Sequence, residues 1–204
     1  MSRAMVREEA RALSTEVRRG ALTLGGGVLL FWVLELVDWV VLGGWLDSFG
    51  IAPRSASGLL GIFFAPFLHG GIGHLLANTL PFVLLGALTM TRKRMDFWVV
   101  SFAGMLSSGL GAWLLGAPNT IHIGASGVIF AYLGFLMSRG FFERRVGAIA
   151  MSVAVTWVFG GMLLLVLPMV ATGISWQGHL FGFLGGILTS RVLGRGLRKQ
   201  RGGR

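Results

Sequence analysis

Residues 121–130 read IHIGASGVIF, a stretch with no charged side chain in which Ser126 stands at the head of an apolar run. Gly124-Ala125-Ser126-Gly127 is either a small-residue contact between helices or a mount for a nucleophile. The wider composition sets the solvent in which that choice is made. The 204-residue chain is 54% hydrophobic with a mean hydropathy of +0.75. Water-soluble domains rarely reach that level, so the serine is read as lying in a membrane-embedded segment.

Working outward from Ser126, no Asp, Glu, Lys or Arg occurs from 97 to 138 (42 residues), from 55 to 91 (37 residues) or from 146 to 190 (45 residues). A helix needs about 20 residues to cross the hydrocarbon core. The two longer stretches therefore each hold two spans, turned at GAPNT (116–120) and LPMVATGISWQ (167–177). The shorter one holds a span at about 72–90 behind an apolar loop, and one more span fits between about Gly20 and Gly44. The expected fold is an all-α membrane protein, a bundle of six transmembrane helices. Its fourth helix is central, starts at Ser126 and is short, about 14 residues. The expected organisation is an N-terminal tail (1–19), a six-span domain (20–194) and a basic tail (195–204). MVREEARALSTEVRR reads as a short surface helix, and the Gly/Arg-rich end from Gly194 as disordered. No cleavable signal pattern is read at the N-terminus.

Charge placement tests the span count independently. With six spans, alternate loops share a side, and 17 of the 18 basic residues fall together, Arg54 being the exception. That asymmetry places both termini in the cytoplasm. The basic tails are then topology signals and contacts for lipid headgroups, and nucleic acid is not an expected partner. The absence of cysteine excludes disulfide and thiolate chemistry. No HExxH occurs, and His69 and His74, five apart, do not share a helix face, so neither a metal nor another cofactor is expected. Acids occur on one span alone, as Glu35 and Asp38. They read as caps or pairs inside the bundle, and an aspartyl protease would need facing acids on two spans. A small transporter is a weaker reading, because the two halves show no corresponding broken spans.

Polar side chains within spans face the bundle interior. From Ser126 to Arg139 is about 20 Å of helix, from His179 to Arg191 about 18 Å, and from Asn78 to Arg92 about 21 Å. Three polar residues on three spans thus share one level, roughly 10 Å below the outer surface. His74 lies one turn further out on the face of Asn78. A nucleophile, a base and hydrogen-bond donors are the parts of acyl-transfer chemistry. Gly124 permits a sharp approach to the helix start. The first N–H groups of that helix, with the positive end of its dipole, suit an oxyanion. Gly182 and Gly186, following His179 in a GxxxG spacing, would let the fourth and sixth spans approach closely.

The three segments HGGIGHLLANTLP, GASG and GHLFGFLGG together resemble the motifs of the rhomboid family of intramembrane serine proteases, and GIFFAPFLHGG resembles the loop of bacterial members. The resemblance covers about residues 50–190 in the family's order. It implies a nucleophile at Ser126 and a general base, later acid, at His179. It implies an oxyanion hole from His74, Asn78 and the backbone N–H groups of Ser126 and Ala125. Gly124, Gly127, Gly182 and Gly186 would support the dyad, and Phe130 would stack on His179 where tyrosine is common. The implied activity is cleavage of membrane-anchored proteins in or near a transmembrane segment. The implied setting is a multi-pass protein of the bacterial inner membrane with its site open to the extracytoplasmic side. A catalytically inactive relative that binds and escorts membrane proteins is the alternative; such relatives typically lack the serine or the histidine. His69 is expected to bond loop backbone, His122 to be interfacial, and Trp157 and Phe159 are candidates for a substrate gate. Arg54 is not recognisable as part of the family's Trp-Arg pair.

Reporter fusions after Arg94 and Arg145 should read cytoplasmic, and those near Ser48 and Asn119 extracytoplasmic. A cytoplasmic reading at Asn119 would overturn both the span count and the argument from depth.

Overall fold

The computed structural model describes residues 3–168 and 173–202. Its order is α1 (Arg3–Val37), α2 (Ala56–Phe64), α3 (Ile72–Met90), α4 (Arg94–Leu115), α5 (Ser126–Glu143), α6 (Val146–Phe159) and α7 (Trp176–Gly202). Among the described residues there is no strand, only an isolated pairing of Ile51 with His122. Four helical stretches are long and apolar enough to cross a membrane: 5–42, 72–90, 94–115 and 146–166. The chain is therefore a multi-pass membrane protein. A helix satisfies its own backbone where no water is available, which is why these segments take that form.

Two expectations at the ends need correction. The surface helix and the first span are one continuous helix, α1, which runs into a π-helical turn at Asp38–Leu42. No proline or capping residue separates the charged part from the apolar part, and the Ala, Leu, Arg and Glu of the first part are good helix formers. At the other end α7 does not stop at Gly194 but continues to Gly202, because the Arg, Leu, Lys and Gln of that stretch favour helix and outweigh its glycines. Part of the expected turn at 167–177, residues 169–172, lies outside the described residues.

The core is built around α5. Thirteen of its 18 residues are buried, and it packs against α3, α4, α6 and α7. It begins at Ser126 but is longer than the expected 14 residues or so. The first charge does not end it. Arg139 Nε donates to Glu143 one turn on (2.7 Å), and Arg139 Nη1 donates to Thr91 Oγ1 (3.1 Å). Arg92 makes paired bonds to Asp96, both 2.6 Å, and lies 3.7 Å from Glu143. Buried charges persist only when paired in this way, and the network clamps the ends of α3, α4 and α5 together.

The α5–α7 contact is made of backbone. A methyl group on Gly182 would fall on the Gly127 carbonyl, one on Gly186 on the Ala131 carbonyl, and one on Gly134 on the Phe183 carbonyl. The small-residue spacing in α7 thus meets its complement in α5. On the flank, Gly104 and Gly111 of α4 admit Ala131 and Phe181.

The connection from α1 to α3 contains a helix, α2, where the sequence suggested only an apolar loop. Ser55 caps it by accepting the Gly58 N–H (3.0 Å). The two span-one acids act on this connection. Glu35 accepts the Gly71 N–H and Asp38 the Leu46 N–H, each at 2.8 Å. Arg54 donates to the carbonyls of Leu114 (3.1 Å) and Gly116 (2.8 Å) at the end of α4, and Trp113 donates to the Ser55 carbonyl (2.8 Å). A cation there meets the negative end of the helix.

Gly182→Val should lower the melting temperature of the detergent-purified protein sharply. Overpacking costs about 1–3 kcal/mol when side chains can move, and here the obstacle is a backbone carbonyl. Gly25→Val, where nothing lies within 4 Å, should melt like the parent. Equal melting of the two variants would rule out direct contact between the α5 and α7 backbones.

Candidate active site

Ser126 is the first residue of α5. The chain reaches it through Gly124, whose φ of +112° suits glycine alone. A Cβ at Gly124 would also lie 2.7 Å from the His74 ring. The Gly124 N–H is anchored on the Ala65 carbonyl (2.8 Å). The segment is held further by His122, which exchanges backbone bonds of 2.9 and 3.0 Å with Ile51. The His122 ring contacts Thr120 Oγ1 (3.0 Å). Ala125 is buried, and the N–H groups of Ala125 and Ser126 have no acceptor among the described residues. These are the unpaired donors that every helix start carries.

Ser126 Oγ and His179 Nε2 are 2.8 Å apart. His179 Nδ1 lies 3.0 Å from the Leu165 carbonyl. A carbonyl can only accept, so Nδ1 carries the hydrogen and Nε2 is left free to accept from the serine hydroxyl; the tautomer follows from this network. The Phe130 ring stacks on the imidazole, with centroids 4.3 Å apart and planes 14° from parallel. No carboxylate bonds His179, so its orientation comes from a backbone carbonyl and a ring. Leu165 belongs to the turn Gly160–Val166 after α6. Nothing in the sequence marks it, because the acceptor is its main chain.

His74 and Asn78 approach from α3. The Gly70 N–H donates to His74 Nδ1 (3.3 Å), and Asn78 Nδ2 donates to the His74 carbonyl (3.0 Å). One amide hydrogen of Asn78 remains for another acceptor. A methyl on Gly124 would lie 3.7 Å from Asn78 Nδ2, which places the amide beside the backbone leading to Ser126. His74, Asn78, Ser126 and His179 line a single cavity of about 1140 Å³, which Phe130, Met162 and Leu165 also line. Gly127 makes room for Ser108 of α4, while Gly182 and Gly186 act at a distance by letting α5 and α7 close up.

Other expected residues lie elsewhere. His69 does not bond the loop backbone as expected. Its ring is wedged between Phe31 and His74, with centroids 5.3 and 5.2 Å away. The Phe67 backbone is near enough to act on it electrostatically, but neither ring nitrogen makes a hydrogen bond of good geometry. Trp157 is 86% exposed, and neither it nor Phe159 lines the cavity. Met162 and Leu165 do so instead. No group of three or more metal-ligating side chains is found among the described residues.

Residues 56–196 match the model of the Rhomboid domain. The chain belongs to the rhomboid family. Uncharacterized proteins of Mycobacterium tuberculosis and Mycobacterium bovis are each 40% identical to this rhomboid over 190 residues, covering 89% of it and 78% of the relative. One from Mycobacterium leprae is 36% identical over 200 residues, 92% and 79% of the two chains. YdcA of Bacillus subtilis, named as a candidate rhomboid protease, is 27% identical over 125 residues, 60% and 61% of the two. The family match begins at α2. Glu35 and Asp38, which pin the loop ahead of His74, fall outside it.

Asp47, in that loop, has an Oδ1 without a hydrogen-bond partner. Burial first, then the charges of Asp38 and Glu35, push its carboxyl up to about 6 from the ordinary 3.8. The folded protein therefore holds this proton more tightly than the unfolded chain does. The stability it confers is full below 3.8 and is lost as pH rises through about 6. Asp47→Asn should melt above the parent at neutral pH, and the difference should close in acid. A lower melting temperature at neutral pH would show that the carboxylate is held by a partner.

Proposed function

We propose that this rhomboid is an intramembrane serine endopeptidase that cleaves membrane-anchored proteins in or near a transmembrane segment. The 2.8 Å contact between Ser126 Oγ and His179 Nε2 carries the reading, because the pair opens onto a cavity that His74 and Asn78 share. Six spans are proposed: the four apolar stretches together with α5 and α7, whose charges are confined to their basic ends. The basic asymmetry puts both termini in the cytoplasm, the cavity mouth on the outer side and the protein in a bacterial inner membrane. Bacterial relatives support that setting.

The mechanism follows from the geometry. The serine oxygen attacks the scissile carbonyl while its proton passes to His179 Nε2. The imidazolium that forms keeps its Nδ1–H on the Leu165 carbonyl, which spreads the charge. The carbonyl oxygen becomes an oxyanion, met by the free N–H groups at the start of α5, the remaining Asn78 hydrogen and His74. His179 then returns the proton to the leaving amine. Water entering through the cavity repeats the sequence on the acyl-serine and releases the second product. No metal or cofactor is required by these steps.

Substrate is proposed to enter between α3 and α6, which share no packed interface. α6 is tied to α5 at its middle, where Ser152 donates to the Leu136 carbonyl (2.7 Å) and accepts the Gly140 N–H (2.8 Å). Its outer part lacks such bonds to α5 and can yield to an incoming helix.

Ser126→Ala and His179→Ala should each abolish cleavage of a single-span substrate by folded, purified protein, and the double variant should be no worse than either single one. Asn78→Ala should lower kcat about 10²–10³-fold with a smaller change in KM, as loss of one oxyanion donor does. Substantial turnover by uncontaminated Ser126→Ala would overturn the assignment.

A further inference from the structure

Away from the cavity, at the basic end of the bundle, Phe141, Phe142, Arg144, Arg191 and Arg195 line a pocket of about 330 Å³. It lies between the end of α5 and the last turns of α7. Arg191 and Arg195 are one turn apart and share a face of α7, where like charges repel. Arg144 adds a third positive charge from the other wall. Among the described residues none of the three has a carboxylate within 4.0 Å, whereas Arg92 and Arg139 on the same end are fully paired. Three convergent cations without a counter-ion are a poor arrangement by themselves and a good one around an oxyanion.

The pocket is set by close packing. Gly194, between the two α7 arginines, is buried against Phe142, and a methyl there would come 2.9 Å from the Phe142 Cβ. Arg144 occupies the left-handed turn that caps α5, with φ +53° and its N–H on the Gly140 carbonyl (3.0 Å). Glycine or asparagine is the usual occupant of such a turn. An arginine held there presents its guanidinium from a fixed cap instead of a fraying helix end. The neighbouring surface is apolar: Phe141 is 72% exposed and Val146 85%. Aromatic rings at a helix end of this kind sit at headgroup level.

We propose that this pocket binds the phosphate of an anionic phospholipid, with the arginine forks on the phosphate oxygens and the acyl region against Phe141 and Val146. Guanidinium matches phosphate in a paired, planar geometry that an ammonium cannot copy. Basic pockets between transmembrane helices on the cytoplasmic side suit such headgroups. The exposed Phe141 and Val146 favour a lipid over free phosphate, which has no apolar part to cover them. The site lies apart from Ser126 and does not depend on proteolytic activity.

The test uses the full chain, purified in detergent and stripped of lipid, then titrated with phosphatidylglycerol or phosphatidylcholine. Retained lipid is counted by native mass spectrometry, and the melting temperature is followed in parallel. The parent should retain phosphatidylglycerol in preference to phosphatidylcholine and melt higher with it. R144Q/R191Q/R195Q should lose the preference, with at least a tenfold weaker response (about one decade in affinity). R144K/R191K/R195K, which keeps the charge, should fall between the two. R7Q/R11Q/R18Q removes the same charge from α1 and should behave as the parent. Three results would overturn the proposal: an equal loss in the α1 variant, which would mean diffuse attraction; no difference between the two lipids in the parent; or displacement of phosphatidylglycerol by millimolar inorganic phosphate, which would assign the site to a free anion.

Discussion

The direct contact of the α5 and α7 backbones is the constraint on which the rest of the structure depends. Ser126 starts α5, His179 lies in the first turn of α7, and a hydrogen bond between them needs helix axes nearer than ordinary side chains allow. Gly134, Gly182 and Gly186 remove the side chains that would hold the axes apart. Lipid is as apolar as leucine, so burial of leucine gives little drive for helices to associate in a membrane, and close packing takes its place. The small residues therefore serve packing and placement of the Ser126–His179 pair at once.

A second constraint is the scarcity of polar partners at membrane depth. The site residues are oriented largely by main-chain groups: His179 by the Leu165 carbonyl, His74 by the Gly70 N–H, and the start of α3 by Glu35 on Gly71. Backbone groups that would otherwise be unsatisfied in lipid become the ligands that fix side chains. Glu35 and Asp38 belong to this arrangement. Each takes an N–H from a connection that is not regular helix, and each is nearly fully buried. Costly on a span facing lipid, an acid is useful where a loop must be held against the bundle.

The basic end of the bundle handles charge in two ways. Arg92, Asp96, Arg139 and Glu143 form a closed, buried network that joins three helices. The arginines beyond it, on the α5 cap and the last turns of α7, are exposed and face one another. The first group is structural in the sense that each charge has its partner inside the protein. The second leaves its counter-charge to the surroundings, which is what the proposed phospholipid contact would supply.

The sequence by itself determined that the chain is helical and membrane-embedded, and its spacings led to the expectation of Ser126, His179 and Asn78 at one level on three helices, with His74 one turn beyond Asn78. Hydropathy, charge spacing and the fixed rise of a helix suffice for that, because each is a local property read along one segment. It also marked Ser126 as a helix start, from the glycine that permits the turn. Only the tertiary structure decided that α1 is unbroken, that α5 runs past Arg139, that the loop after α1 contains a helix, and that α7 continues beyond Gly194. In the first and last, good helix formers carry the helix through glycine; in α5 a salt bridge lets a charge remain buried. Only the tertiary structure decided that Leu165 orients His179, that Glu35 and Asp38 hold loop backbone, and that Met162 and Leu165, not Trp157 and Phe159, wall the cavity. Those depend on main-chain atoms, which carry no residue signature, and on pairings between segments far apart in the chain, which no periodicity encodes.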